Sequence, residues 1–270
     1  MSDDLEYYDA LAALEWQVEL GADEAIGDLP VDRFDLPAPA PIPVLTPVVK
    51  PAPTSGPTAA PVRHIVPDVD RVAIARQLAE SAGSIEVLRA AMEGFEHCDL
   101  KRGARNFVFS DGYPSARVMV VGAAPGRDED RHGAPFAGAE GHLLDKMFAA
   151  IGLDRTAEGA GGLYLTDMLP WRPPQDRDPR PDELAMIAPF VRRHIELAAP
   201  DIVVLMGNHA CAGLLGRHGI KRMRGEWEDS LPCAALPMFH PKSLLKAPLL
   251  KREAWADLLS IKARLGANDD

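Results

Sequence analysis

Short apolar runs that alternate with helix-forming segments are the feature that most restricts the fold of this chain. Four runs have the length and the β-branched, apolar composition of strands buried on both faces. They cover residues 118–121, 163–166, 202–206 and 234–238. Helix-forming segments surround them at 72–94 (with Ser84 as a possible cap inside the stretch), 142–151, 181–198, 208–215 and 249–265. This alternation predicts an α/β fold, a three-layer sandwich around a central, mostly parallel four-stranded sheet.

The carboxyl ends of these strands are where a ligand site is expected, because open parallel sheets bind ligands beyond that edge. Phe136 lies in the glycine- and proline-rich loop after the first strand, where core packing hardly explains a large aromatic ring. Asp167 directly follows the second strand and His240 follows the last. An aromatic ring, a polar side chain and a histidine suit a pocket for a planar, hydrogen-bonding ring.

The charge of the chain is unevenly distributed. Of 29 basic and 40 acidic residues, the first 70 positions hold three basic and 13 acidic ones. Residues 217–252 instead carry eight Lys or Arg against three acids. Since affinity for DNA depends on a local basic face, the net charge of −11 does not exclude DNA as a partner.

The first 70 residues differ in texture from the rest. Residues 3–20 have apolar positions at the spacing of one amphipathic helix, and 29–67 are rich in Pro, Ala and Val, as in a polyproline-type linker. We therefore predict an acidic N-terminal helix or tail over 1–28, a flexible linker over 29–70 and a folded domain over 71–270. The tail is either weakly ordered or a tethered helix that docks a protein partner.

The remaining composition bears on location and metals. Three widely spaced cysteines offer no disulfide framework, the N-terminus lacks a signal sequence, and no apolar run approaches the ~20 residues that span a bilayer. We predict a cytoplasmic protein without membrane contact, and we expect a monomer. The histidines lack metal-ligand spacing, so no metal is predicted.

Five segments of the chain resemble the motifs of family-4 uracil-DNA glycosylases, in the family's order and spacing. They are VVGAAPGRDEDRHGAPFAGAEGHLLDK (120–146), LTDMLPWRPP (165–174), PFVRRHIELAAPDIVVLMG (189–207), RGEW (224–227) and FHPKSLL (239–245). The resemblance implies a uracil-DNA-glycosylase-like fold. It also implies an enzyme that flips uracil out of DNA and hydrolyses its N-glycosidic bond, which initiates base excision repair.

The resemblance also implies roles for particular residues. Phe136 would stack on the base, Asp167 would face its Watson–Crick edge, and His240 would donate to the uracil O2 as negative charge grows there. Backbone of the first motif would line the base pocket at Gly122, Ala123, Pro125 and Gly126. Contacts to DNA are predicted for Arg222, Arg224, Lys242, Ser243, Leu244, Leu245 and Lys246, with Leu244 or Leu245 as a wedge in the duplex. Lys242 could instead pair with Asp167 or point to solvent.

Two residues of the implied site depart from the family pattern. Ala123 stands where a Glu is usual and Asp167 where an Asn is usual, and an ionised Asp would repel the uracil O4. Asp167 could be protonated by burial, the preferred base could be a related one with an exocyclic amino group, or Asp167 could activate water. The alternative function is a catalytically impaired protein that binds DNA or a damaged base without excision. The acids Asp128, Glu129 and Asp130 could activate water, order the loop, or form a solvated charge run.

The cysteines of the family's iron-sulfur cluster are a third departure. Of the four ligand positions only Cys98 keeps a thiol, and the others fall on Phe95, Trp171 and Ile187. Because a cluster needs thiolates, we predict no cluster, no cofactor, and a buried structural role for Cys98.

Overall fold

The computed structural model describes residues 70–267, and the predicted tail (1–28) and almost all of the predicted linker (29–70) lie outside that range. The helices are α1 (Arg71–Ser81), α2 (Ile85–Glu93), α3 (Arg127–His132), α4 (Ala139–Ala149), α5 (Pro181–Ala198), α6 (Gly207–Leu215), α7 (Ile220–Met223), α8 (Pro241–Lys246) and α9 (Lys251–Ala267). The strands are β1 (Ser110–Gly112), β2 (Val118–Gly122), β3 (Leu163–Asp167), β4 (Ile202–Met206) and β5 (Ala234–Met238).

The strands form one sheet in the order β1-β3-β2-β4-β5. The four predicted strands are all present and parallel, so the predicted α/β class is confirmed. A fifth strand, β1, was not predicted, and it pairs antiparallel with β3 in a register that sets Ser110 opposite Thr166. Its three residues, Ser-Asp-Gly, are only partly buried, so the sequence carries no apolar alternation to reveal it.

The helix-forming stretch at 72–94 contains two helices, α1 and α2, which are separated by residues 82–84. Ala82 leaves helical geometry after α1, and the Ser84 hydroxyl accepts a hydrogen bond of 3.3 Å from the backbone N–H of Val87. A serine in this position satisfies an otherwise unpaired N–H at the start of a helix. Ser84 therefore begins α2, which confirms the cap predicted inside this stretch.

The sheet is the middle of three layers. On β2, Met119 and Val121 belong to a core shared with α1, α2, α5 and α6, while Val118 and Val120 belong to a second core shared with α4 and α9. This alternation follows from the two-residue period of a strand, and burial on both faces explains why every residue of β2 is fully buried. Within residues 70–267, no helix has the length and apolar character needed to cross a membrane.

Candidate active site

The loops that follow the parallel strands enclose one cleft of about 490 Å³ at the carboxyl edge of the sheet. Its walls include Phe136, Asp167 and His240, so the structure brings together the three side chains nominated from three strand ends. The Phe136 and His240 rings lie with centroids 5.7 Å apart and planes 25° apart. The predicted pocket backbone at Ala123, Pro125 and Gly126 also lines the cleft.

Phe136 occupies this cleft in a strained conformation. Its φ is +52°, a left-handed value that is a genuine outlier for a bulky residue, and its side chain is buried. Two glycines make room for it. A Cβ on Gly122 would lie 2.7 Å from the Phe136 ring and closer still to the Asp167 carboxyl, and a Cβ on Gly141 would collide with the Phe136 carbonyl. Such strain persists only where the surroundings impose it, as they do at binding sites.

Arg155 is a support of this loop that the sequence did not reveal. Its guanidinium donates to the carbonyl of Pro135 at 3.3 Å and to the carboxylates of Asp111 at 3.0 Å and Asp145 at 2.8 Å. Arg155 thereby ties the residue before Phe136 to the unpredicted strand β1 and to α4. No sequence motif marks it, since its partners are distant along the chain.

Glu129 orders the first loop of the cleft. Its two carboxylate oxygens accept three backbone hydrogen bonds of 3.0 Å each. The donors are the N–H groups of Gly126, Ala137 and Gly138. Of the three interpretations offered for the acidic run, loop ordering therefore describes Glu129, because a carboxylate with three fixed donors is anchored in place.

The other two acids of the run differ from each other. Asp130 is buried, and one of its oxygens accepts from the backbone N–H groups of Arg105 at 2.8 Å and Asn106 at 3.1 Å. Asp130 thus joins α3 to the segment before β1. Asp128 is exposed on the wall of the cleft. Among the three, only Asp128 keeps an exposed carboxylate.

Asp167 lies at the inner end of the cleft with 5% of its surface exposed. Burial raises its pKa well above the ordinary value of 3.8, and the nearby carboxylates of Glu129 and Glu140 raise it further. Within residues 70–267 no cation and no hydrogen-bond donor counters this rise in the pKa of Asp167. The alternative ion pair between Asp167 and Lys242 is also absent. The direction of the shift favours a protonated, uncharged Asp167.

His240 caps the start of α8 from the opposite wall. Its Nδ1 accepts a hydrogen bond of 3.2 Å from the backbone N–H of Lys242. Burial lowers the pKa of His240 to about 4, with smaller contributions from Lys242 and His209. His240 is therefore neutral at pH 7, and its hydrogen bond from Lys242 favours the tautomer that carries the ring proton on Nε2.

The predicted DNA contacts divide into those that are accessible and two that are not. The side chains of Arg222, Lys242, Ser243 and Lys246 are exposed, and Leu245 is 46% exposed. Leu244 is fully buried in the core and cannot be a wedge, so that prediction was wrong.

Arg224 is the second inaccessible residue. Its Nε donates to Asp257 at 2.9 Å and an Nη donates to the carbonyl of Glu253 at 2.8 Å. The Asp257 carboxylate is buried, so the guanidinium is committed to α9. These contacts argue against the predicted phosphate contact of Arg224, because a buried carboxylate would lose its counter-charge if Arg224 turned to DNA.

The four positions of the implied iron-sulfur cluster lie in one apolar core. Phe95, Cys98, Trp171 and Ile187 are each at most 2% exposed and pack in the same cluster of side chains. Burial also raises the pKa of the Cys98 thiol, which disfavours the thiolate. One thiol among three large apolar side chains does not fit a cluster that needs thiolate ligands. Residues 70–267 also contain no group of three or more His, Cys, Asp or Glu side chains arranged to hold a metal ion.

Several polar residues of the cleft were missed from the sequence, and Glu140 and His209 are the two among them that lie near His240. His209 comes shortly after the end of β4, a strand end already singled out, so the strand-end rule could have nominated it. Its neighbour Asn208 is structural, since its side-chain oxygen accepts from the backbone N–H groups of Gly219 and Ile220. Glu140 lies in the first turn of α4, where a glutamate usually signifies only favourable helix electrostatics.

Comparison with known proteins places these features in one family. The family model described as the Uracil DNA glycosylase superfamily matches residues 109–259. A protein of Sulfurisphaera tokodaii named Type-4 uracil-DNA glycosylase is 32% identical over 189 residues, which cover 66% of this chain and 84% of the relative. Proteins of the same name from Archaeoglobus fulgidus and Thermotoga maritima are 34% and 30% identical, over 61% and 60% of this chain and 84% and 83% of their own lengths.

Proposed function

The chain belongs to the uracil DNA glycosylase superfamily, and we propose that it hydrolyses the N-glycosidic bond of uracil, or a related deaminated base, in DNA. It is a hydrolase of N-glycosyl bonds, and it initiates base excision repair by releasing the damaged base. DNA is its partner. A monomeric state, a cytoplasmic location and a protein partner for the N-terminal tail are predictions from the sequence alone.

The observation that carries this proposal is the convergence of Phe136, Asp167 and His240 on one cleft. A base extruded from the duplex would enter the cleft edge first and stack on Phe136, whose ring is held by the strained loop. Stacking and edge hydrogen bonds offset the few kcal/mol that unstacking and unpairing cost. The pocket backbone at Ala123, Pro125 and Gly126 would border the base on the same side.

Asp167 reads the Watson–Crick edge as a neutral acid. A protonated carboxyl offers one O–H donor and one carbonyl acceptor, which match the uracil O4 and N3–H in the way an Asn amide does. Burial and the neighbouring carboxylates of Glu129 and Glu140 favour this form by raising the pKa of Asp167. The departure from Asn is therefore compatible with uracil recognition while the proton is present.

His240 assists the departure of the base. The bond between C1′ and the base nitrogen breaks, its electron pair remains on the base, and the resulting negative charge gathers on O2. A neutral His240 donates from Nε2–H to that oxygen, and a donor so placed is worth about 3 kcal/mol. A water molecule supplies the hydroxyl that bonds to C1′, and its proton leaves to solvent.

The accessible cations favour a path for the DNA on the α8 side of the cleft. Lys242 and Lys246 line the cleft on α8 and would contact phosphates, together with the Ser243 hydroxyl and Arg222 of α7. Leu245 is exposed on the same helix and would fill the space left by the extruded base. Lys242 thus contributes a charge to DNA and its backbone N–H to His240.

A glycosylase assay tests the proposal. Duplex and single-stranded oligonucleotides containing one uracil, hypoxanthine or xanthine should yield an alkali-labile abasic site with at least one of these bases. His240→Ala should lose most of this activity. Release of none of the three bases at high enzyme concentration, with DNA binding retained, would instead support the second function, binding without excision, which the absence of a polar side chain at Ala123 favours.

A further inference from the structure

Glu140 contacts the proposed catalytic histidine from a direction that the mechanism above does not use. Its Oε2 lies 3.5 Å from Nδ1 of His240, and its side chain is 34% exposed on the cleft wall. The same Nδ1 accepts a hydrogen bond of 3.2 Å from the backbone N–H of Lys242. Two groups of opposite character, a carboxyl and an amide N–H, therefore meet one ring nitrogen.

These two groups favour different positions of the ring proton. The Lys242 amide can only donate, so it favours a bare Nδ1 and a proton on Nε2, where it serves the leaving base. An ionised Glu140 can only accept, so it favours a proton on Nδ1 and leaves Nε2 without one. A protonated Glu140 can donate to Nδ1 and then supports the same tautomer as the amide.

We propose that Glu140 is a positioning residue that sets which ring nitrogen of His240 carries the proton. When Glu140 is neutral, His240 presents Nε2–H to the cleft and excision proceeds. When Glu140 is ionised, part of the population carries the proton on Nδ1 and cannot donate to the base. The effect on excision rests on the proposed glycosylase function, but the effect on the tautomer does not.

The charged groups around this pair come from several elements. Burial disfavours the ionised form of Glu140 most strongly, and Glu129 of α3 disfavours it as well. Lys242 and Lys246 of α8 favour the ionised form, but the net effect raises the pKa of Glu140. His240 faces Lys242, His209 of α6 and Glu140, and Asp167 of β3 shares the cleft. DNA phosphates that engage the two lysines would weaken their hold on Glu140 and so favour its neutral, active form.

The variant Glu140→Gln tests the tautomer directly, because the new side-chain amide can donate to Nδ1 as a neutral Glu does. Nitrogen NMR of full-length protein labelled on histidine would follow both ring nitrogens of His240 from pH 5 to pH 9. In the wild type the Nδ1–H form should grow with pH, and in Glu140→Gln the Nε2–H form should persist. Glu80→Gln on α1 is a matched control for loss of one exposed carboxylate and should behave as the wild type.

Excision rates provide the second measurement, made in an Asp167→Asn background so that titration of Asp167 does not contribute. As pH rises through the raised pKa of Glu140, the rate of the protein that retains Glu140 should fall by about fivefold relative to that of the Glu140→Gln variant. This is the change that one modest hydrogen bond makes in an equilibrium. Glu140→Ala, which removes the competitor without adding a donor, should also resist the fall.

Two results would overturn the inference. One is an identical tautomer ratio in the wild type and Glu140→Gln throughout the pH range. The other is a uniform loss of rate in both the Gln and Ala variants, which would assign Glu140 a direct catalytic role. If no variant excises any base while the NMR tautomer still responds to Glu140, the proposed function fails and the tautomer control stands.

Discussion

The most discriminating substitution is Asp167→Asn, because it replaces a titratable side chain by a permanently neutral one of nearly the same shape. Asp167 is 5% exposed, and burial first, then Glu129 and Glu140, raises its pKa. The wild type should therefore excise uracil best at low pH and lose rate as pH rises through this raised pKa. The Asn variant should lack that loss and keep only the smaller fall, about fivefold, that ionisation of Glu140 is expected to cause.

The expected size follows from the protonation equilibrium. Above the pKa of Asp167 the protonated fraction of this side chain falls tenfold per pH unit. The kcat/KM of the wild type should therefore fall relative to that of the Asn variant by a factor that approaches ten per pH unit. The stability of the wild type should also decrease as pH rises. A carboxyl whose pKa is raised on folding makes its full contribution to the free energy of unfolding below about pH 4. That contribution falls by ~1.4 kcal/mol per pH unit as pH rises toward the pKa of the folded state. The Asn variant should thus gain stability relative to the wild type as pH rises.

Single-turnover excision from a uracil-containing duplex and urea unfolding, both between pH 5 and pH 9, measure these two effects. Glu80→Gln is the control, since Glu80 of α1 is an exposed carboxylate that does not line the cleft. Parallel pH profiles for the wild type and Asp167→Asn in both experiments would refute the reasoning. Asp167 would then be ionised without cost, which its burial does not allow.

Four further substitutions test the rest of the site. His240→Ala should lower the single-turnover rate by about 10²–10³-fold while DNA binding, measured by fluorescence anisotropy, changes little. Leu245→Ala should slow excision from duplex DNA more than from single-stranded DNA. Leu244→Ala should instead lower the free energy of unfolding in urea by about 2–5 kcal/mol, because Leu244 is buried. Equal effects of the two substitutions on stability would contradict the assigned burial. Gly122→Ala should abolish excision with the fold retained by circular dichroism, because the added methyl would occupy space held by the Phe136 ring and the Asp167 carboxyl.

The layers of the fold were predictable because burial leaves a periodic signal. The four parallel strands are fully or nearly buried apolar runs, and their order along the chain already directs Asp167 and His240 to one edge. β1 escaped because edge pairing with β3 creates it from three residues without an apolar pattern. The start of α2 was predictable, because Ser84 is a residue type that caps helices and its hydroxyl does so here.

The side-chain environment of the site was less predictable, because it depends on contacts between distant segments. Leu244 and Leu245 are equivalent as sequence, and only the packing of α8 buries one and exposes the other. From the sequence alone, Arg224 is equally suited to a contact with DNA. Its partner Asp257 lies 33 residues later, and only the structure shows that the two side chains pair. Glu140 carries no motif of its own, and its significance comes from its distance to His240, which is far away along the chain.

The cleft concentrates carboxyl groups where an anionic base must leave, and burial raises the pKa of two of them, Asp167 and Glu140. Glu129 instead accepts hydrogen bonds from three backbone N–H groups, which hold it in place. Asp167 has no such donors within residues 70–267, and Glu140 is offset only by lysines that DNA would engage. Burial and, to a smaller extent, the Glu129 carboxylate therefore favour the protonated forms of Asp167 and Glu140. The residue that orders the loop thereby helps to keep the base pocket neutral, which is the condition under which Asp167 can pair with uracil and His240 can release it.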